Sequence, residues 1–303
     1  MSAVPVRDRS LLLRMALSGV LVLVGYAALV VPLWYYGSPV VAFVVGVLLG
    51  LGLLFLLSQG HRLALWTSRA MGLSRTEYPN LYARLERLSR QADVSTPGLA
   101  VVPTDEPNAF TAGSGDDAVV FVTLGFLREL PPEEQDAVLA HELAHVKNAD
   151  ALVMTVAAFP TTVALLLVAF GLAFLNDASF WSKSGRNTAF VGGVVFLAGG
   201  ALFLASVAAV VVLSRYREFA ADRGAVAITG DPTSLASALR RLDGGERETT
   251  RRPNRDARSL TAMHAFCVVP SGDWLPFFPA LHPPTEARVE RLRAMERDAE
   301  SVR

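Results

Sequence analysis

The chain has 303 residues, of which 52% are hydrophobic and 18% charged, and its mean hydropathy is +0.38. That balance is too apolar for an ordinary soluble domain. Its 28 basic and 28 acidic side chains cancel, which leaves no net positive field to hold a nucleic acid, and the lone cysteine, Cys267, excludes both an internal disulfide and a cysteine-rich metal cluster.

Crossing a hydrocarbon core takes about 20 apolar residues in a helix. Residues 11–34 and 39–57 meet that need and predict a helical hairpin closed by "YYGS", with Trp34, Tyr35 and Tyr36 as interfacial aromatics. The first stretch follows Arg7, Arg9 and Arg14 as a signal peptide would. It is too long for one, and a second span follows closely, so a retained helix is expected. Residues 59–150 are polar enough to fold in water. Within them Leu81, Leu85 and Leu88 recur at helical spacing, while "GLAVVP" and "DAVVFVT" read as short strands around the turn-rich "TDEPNAFTAGSGD". Pro131-Pro132 followed by Glu133 and Glu134 opens a further helix, with acidic side chains in its positively polarised first turn.

Residues 151–175 are then 25 in a row without a charge, and Pro160 inside them should bend the span rather than end it. Residues 189–213 make a fourth span. "SRYREFAADRGAVAITG" continues it as helix up to Gly230, and Asp231-Pro232 starts another helix reaching about Leu242. Residues 244–258 are glycine-rich, charged and aperiodic, which predicts a mobile loop, either a linker or a lid. "HPPTEARVERLRAMERDAE" reads as a proline-started surface helix. Arg7, Arg9 and Arg14 precede the first span, Arg62, Arg69 and Arg75 follow the second, and Arg215, Arg217 and Arg223 follow the fourth. The 35–38 turn has no basic residue and the 176–188 loop has only Lys183 and Arg186. This bias predicts a multi-pass cell-membrane protein with both termini and residues 59–150 in the cytoplasm.

Chemistry is concentrated in "AHELAHVKNAD". On a helix, His141 and His145 lie one turn apart on one face, so two neutral imidazoles can hold one Zn2+ while Glu142 stands beside them to accept a proton from water. Catalytic zinc takes three protein ligands and keeps a fourth position open. Asn148 and Ala151 stand where a continued His-x-x-Gly-x-x-His pattern needs glycine and histidine. "LDG" at 242–244 follows Arg240 and Arg241, so it cannot lie in a bilayer and reads as a helix ending at glycine. In "SRYREFAAD", Glu218 and Asp222 are four apart and share a helix face. Glu218 is either the third ligand or an ion-pair partner of Arg215 or Arg217; beside a His-Glu-x-x-His helix the ligand reading is preferred. Asp222 suits the far nitrogen of a ligating histidine.

His145 lies six residues before the third span and Glu218 five after the fourth, roughly 9 Å and 7 Å beyond the apolar stretches in straight helices. An antiparallel hairpin brings both out on the cytoplasmic side, placing the metal on the order of 10–15 Å from the hydrocarbon boundary. Such a site suits metal-assisted peptide hydrolysis. "PNAFTAG" is either a surface hairpin or an edge that binds a peptide by strand addition.

Together, "PNAF", "AHELAHVKNAD", "SRYREFAAD" and "LHPPTEARVERL" resemble the motifs of HtpX-type membrane zinc endopeptidases, relatives of the prenyl-protein endopeptidases of the CAAX pathway. The resemblance runs along nearly the whole chain. It implies an α-helical membrane protein with four transmembrane helices and a cytoplasmic gluzincin-like α+β metalloprotease domain containing a small sheet. The chain would divide into a membrane hairpin (1–58), a cytoplasmic part with the zinc-binding helix (59–150), a second hairpin (151–213) and a second cytoplasmic part (214–303). One zinc ion per chain, held by His141, His145 and Glu218, is implied, with Glu142 as general base and Asp222 behind the ligands. Asn108 would help hold substrate along an edge strand. His282 and Arg288 match the family's terminal His-Pro…Arg pattern and either approach the reacting carbonyl or hold the terminal helix. His61 and His264 match no motif. Implied partners are the bilayer and membrane or misfolded proteins cleaved in quality control. A non-proteolytic zinc-bound adaptor is the competing reading, and the intact Glu142 speaks against it. A transporter lacks the ionisable residues that a polar pathway across the spans requires.

Overall fold

The computed structural model describes residues 39–68, 70–177, 183–249 and 282–301, with six isolated positions between 20 and 34. In chain order the elements are α1 (Pro39–Thr67), β1 (Met71–Gly72), α2 (Pro79–Ala92), β2 (Gly98–Val102), β3 (Ala109–Ala112), β4 (Val119–Thr123), α3 (Leu124–Glu129), α4 (Pro132–Lys147), α5 (Asp150–Asp177), α6 (Lys183–Thr229), α7 (Pro232–Thr249) and α8 (Thr285–Ser301). The residues divide into two compact units, one drawn from Met1–Leu56 and Val153–Leu213, the other chiefly from Leu57–Leu152 and the chain beyond Ser214.

The first unit is helical. Two of its helices, Asp150–Asn176 and Gly185–Thr229, contain stretches long and apolar enough to cross a membrane. The helix runs unbroken through Pro160. Glycines let α5 and α6 approach closely: a Cβ on Gly171 would lie 2.5 Å from the Phe196 nitrogen, and one on Gly199 would lie 2.8 Å from Leu167 Cβ. Small residues at helix contacts are how apolar helices pack without help from water. Phe159, Val163 and Leu167 form the buried centre here, joined by Val45, Leu49 and Leu53 of α1 and by Val195 and Leu202 of α6. Of the expected second span, Phe43–Phe55 forms a shorter apolar stretch within α1. The expected first span lies outside the described residues except at the isolated positions, as do Tyr35 and Tyr36. At 45 residues, the helix Gly185–Thr229 is about 68 Å long at 1.5 Å per residue, more than twice a hydrocarbon core, and its end beyond Leu213 is charged.

The second unit is α+β. Its sheet has the order β1-β2-β4-β3, with β2 and β4 parallel and the two outer pairs antiparallel. Both faces of β2 and β4 are covered. Leu99, Val101, Val120 and Val122 join the main core with α2 and α4, while Ala100, Val102 and Phe121 point the other way, against Ala64 of α1. Strands buried on both faces read as continuous apolar runs, which is why "LAVV" and "VVFV" look alike. On α2 the expected stripe of Leu81, Leu85 and Leu88 is buried in the main core, worth about 2 kcal/mol for each side chain. The helix start at Pro132 carries Glu133 and Glu134 in its first turn as expected. Gly230 ends α6 at φ 73, and Asp231 Oδ1 accepts from the backbone N–H groups of Thr233 and Ser234, 3.0 Å each, to open α7. The structure corrects one boundary. Helix α7 passes through Gly244 and runs to Thr249, so residues 244–249 are helix rather than loop; residues 250–258 lie outside the described set, as do His264 and Cys267. In keeping with the readings of "PNAFTAG", that segment contains β3, the edge strand of a hairpin with β4.

Candidate metal centre

Helix α4 brings His141, Glu142 and His145 to its buried side. Helix α6 brings Glu218 and Asp222, which are 3% and 2% exposed. The two helices meet with little space between them: a Cβ on Gly224 would lie 2.6 Å from Ala144 Cβ. That approach, one residue before His145 and two after Asp222, brings His145 and Glu218, 73 residues apart in sequence, into one cluster.

In that cluster the Nε2 atoms of His141 and His145 are 3.0 Å apart, with the rings at 88°. Glu218 Oε2 lies 3.6 Å from His141 Nε2, and Oε1 lies 3.8 Å from His145 Nε2. One ligand atom from each residue falls within a 4.8 Å group. Tetrahedral zinc with ligands at 2.0–2.1 Å needs ligand–ligand edges of about 3.3 Å. The three observed edges bracket that value, so the donor set fits one zinc ion.

The far nitrogens are also occupied. Asp222 Oδ1 lies 3.1 Å from His141 Nδ1, and Asp150 Oδ2 lies 2.5 Å from His145 Nδ1. A hydrogen bond from each Nδ1–H to its carboxylate would leave Nε2 free to donate to a metal. Two arginines complete the ring. Arg288 of α8 donates to both oxygens of Asp222, at 2.9 and 2.6 Å, and lies 3.1 Å from Glu218 Oε2. Arg217 lies 3.4 Å from Asp150 Oδ2 and 3.9 Å from Glu218 Oε1. Helix α8 is seated by buried Val289 and Leu292 and by Arg291, whose guanidinium lies 3.7 Å from the centre of the Phe219 ring.

Charge gives an independent test of fit. Glu142, Asp150, Glu218 and Asp222 are four buried carboxylates facing Arg217 and Arg288, an excess of two negative charges that one divalent cation would balance. The same excess acts on His141. Burial opposes its charged form, but the Asp222 and Glu218 carboxylates outweigh burial and push its pKa up to about 9. The cluster favours positive charge at this point.

Glu142 follows His141 on α4, and its Oε2 accepts from the Thr111 hydroxyl of β3 at 2.8 Å. His282 lies at the rim, its side chain 64% exposed and its Nδ1 3.4 Å from Glu218 Oε1. Asn108 stands at the start of β3; its Oδ1 accepts from Ala109 N–H at 2.8 Å, and its backbone N–H donates to Thr123 Oγ1 at 2.9 Å. The structure thus gathers seven of the eight expected site residues around one point and sets Asn108 at the head of the neighbouring strand. Sequence reading missed Asp150 and Thr111, and it considered Arg217 only as an ion-pair partner of Glu218, the contact found here at 3.9 Å. Asp150 had a signal, five residues after His145, but the turn that folds it back depends on Ala149 at φ 52, which composition does not foretell.

Comparison with known proteins gives this geometry a family. The model for peptidase family M48 matches residues 75–296. This chain belongs to peptidase family M48. It is similar to a protease HtpX homolog of Moorella thermoacetica, 39% identical with 98% of each chain covered. It is also similar to the protease HtpX homolog 2 of Methanosarcina mazei, 38% identical with 96% of this chain and 97% of the relative covered. A crystal structure of S. mikatae Ste24p matches with a TM-score of 0.50 at 16% identity, covering 93% of this chain and 64% of that one, and this shows a shared fold. With its apolar helices, this M48 peptidase is a membrane-anchored metalloprotease.

Proposed function

We propose that this peptidase is a zinc endopeptidase of the cell membrane that cleaves membrane or misfolded proteins in quality control. The observation that carries the reading is the His141, His145 and Glu218 cluster with Glu142 beside it. A zinc ion held there would polarise the scissile carbonyl and make water acidic enough to react near neutral pH. Glu142 accepts a proton from the attacking water and delivers it to the leaving amine. Asp222 and Asp150 keep the two imidazoles in the tautomer that presents Nε2. Arg288 holds Asp222 and Glu218 in place and, with His282, borders the site where a carbonyl oxygen would gain charge. Strand β3 is an edge of the sheet, so an extended peptide could add to it by main-chain hydrogen bonds, with Asn108 setting where that edge begins.

Four spans, with both termini and the site facing the cytoplasm, follow from the apolar stretches 11–34, 39–57, 151–175 and 189–213 and from the arginines that flank them. Protection of cysteines placed at either end of each stretch from an impermeant reagent tests that arrangement. The chemistry is tested by cleavage of casein with detergent-purified wild type and Glu142→Gln, each with zinc and with a chelator. Only zinc-loaded wild type should cleave. Equal cleavage in all four samples would refute the assignment, and loss of cleavage with retained cellular function in Glu142→Gln would favour the adaptor.

A further inference from the structure

The Thr111–Glu142 contact has no part in holding a metal, yet it joins the sheet edge to the residue we read as the base. Strand β3 pairs with β4 in the register Phe110↔Phe121 and Thr111↔Val120. Alternation along the strand separates these two side chains. Phe110 stacks on Phe121, ring centres 4.5 Å apart, on the face turned towards Ala64. Thr111 therefore projects from the other face, towards α4, and its Oγ1 meets Glu142 Oε2 at 2.8 Å. An ionised carboxylate only accepts, so the hydroxyl is the donor.

A glutamate has three side-chain torsions, and a base must keep its oxygen within reach of one water. Glu142 is buried, 6% exposed, so bulk water does not hold its carboxylate. We infer that Thr111 is a positioning residue for the peptidase reaction: it tethers Oε2 of Glu142 and so presents Oε1 to the attacking water. Because Thr111 belongs to the strand proposed to receive the peptide, base and substrate backbone are set from one register. The inference rests on the reading of Glu142 as general base.

Thr111→Val keeps the shape and removes the donor, and Thr111→Ser keeps the donor. Both are compared with wild type and Glu142→Gln for kcat and KM on one fluorogenic peptide, for zinc content and for thermal midpoint. The expected result is a kcat loss of about 10- to 100-fold in Thr111→Val, since misplacing a catalytic group by about 1 Å costs that order. Its KM, zinc content and midpoint should stay near wild type, and Thr111→Ser should recover most of the turnover. Wild-type kcat in Thr111→Val with an inactive Glu142→Gln overturns the tether and leaves the base assignment standing. A fully active Glu142→Gln overturns both. Equal losses of kcat and midpoint in the Val and Ser variants assign Thr111 a structural role only and overturn the tether.

Discussion

At Gly224 the two ligand-bearing helices leave no room for a methyl group. Gly224→Ala would place a Cβ 2.6 Å from Ala144 Cβ, whereas non-bonded carbons rest about 3.5–4.0 Å apart, so the helices must part by roughly 1 Å. Neither atom is the end of a flexible side chain that could swing aside. The His141–Glu218 and His145–Glu218 edges are 3.6 and 3.8 Å. Widened by roughly 1 Å, they exceed the ~4.2 Å that two ligands of one zinc ion can span even in line. Overpacking of this kind costs about 1–3 kcal/mol, and zinc affinity should fall at least tenfold, read by competition with a chromophoric chelator. Ala144→Gly removes the opposing methyl, and the next nearest atom, Ala144 Cα at 3.8 Å, is an ordinary contact. The double variant should therefore regain zinc affinity although glycine in a helix costs about 1 kcal/mol. Wild-type zinc affinity in Gly224→Ala, or a double variant no better than the single, would refute the claim that this contact sets the site.

Other consequences are independent. Asp150→Asn should weaken zinc binding about 10- to 100-fold with little change in helix content by circular dichroism, because His145 loses the carboxylate that fixes its tautomer; unchanged affinity would remove Asp150 from the account. Gly125→Ala should destabilise the α+β unit by about 2–3 kcal/mol, because the new Cβ would lie 2.1 Å from the Asp105 carbonyl oxygen; thermal melts decide it. Glu134 gives a pH dependence. Burial opposes its ionisation, but hydrogen bonds from Arg241 and Ser237 outweigh that and hold its pKa below the ordinary value of 4.5. A depressed folded pKa means its stabilisation is complete above about pH 4.5 and is lost as pH falls through the folded value. The midpoint difference between wild type and Glu134→Gln should thus be constant between about pH 5.5 and 7 and shrink at more acid pH. A difference unchanged at pH 3 would contradict it.

The candidate cluster was legible because metal chemistry and helix geometry would impose fixed spacings. His141 and His145 are four apart, as are Glu218 and Asp222, and both pairs sit on helices that the sequence predicts. Gly230 and Asp231 were legible as stop and start because a left-handed residue and a side-chain cap each need particular residue types. Two things were not. Helix α7 runs through Gly244 and Gly245, where local propensity argues for a stop. The Arg217–Asp150 and Thr111–Glu142 contacts depend on how separate segments meet, and no single-segment pattern encodes that. The close contact at Gly224 is hidden for the same reason: glycine inside a helix is visible in sequence, but the methyl it makes room for lies on another element.

The measurement that bears most directly on the central claim is X-ray absorption at the zinc edge of the purified, detergent-solubilised full chain, beside Glu218→Gln. Wild type should show about one zinc per chain bound by two imidazoles and oxygen at about 2.0–2.2 Å, without sulfur, and Glu218→Gln should lose zinc or the carboxylate contribution. Sulfur near 2.3 Å, which would draw in Cys267, or an identical spectrum from the variant, would contradict the His141, His145 and Glu218 site.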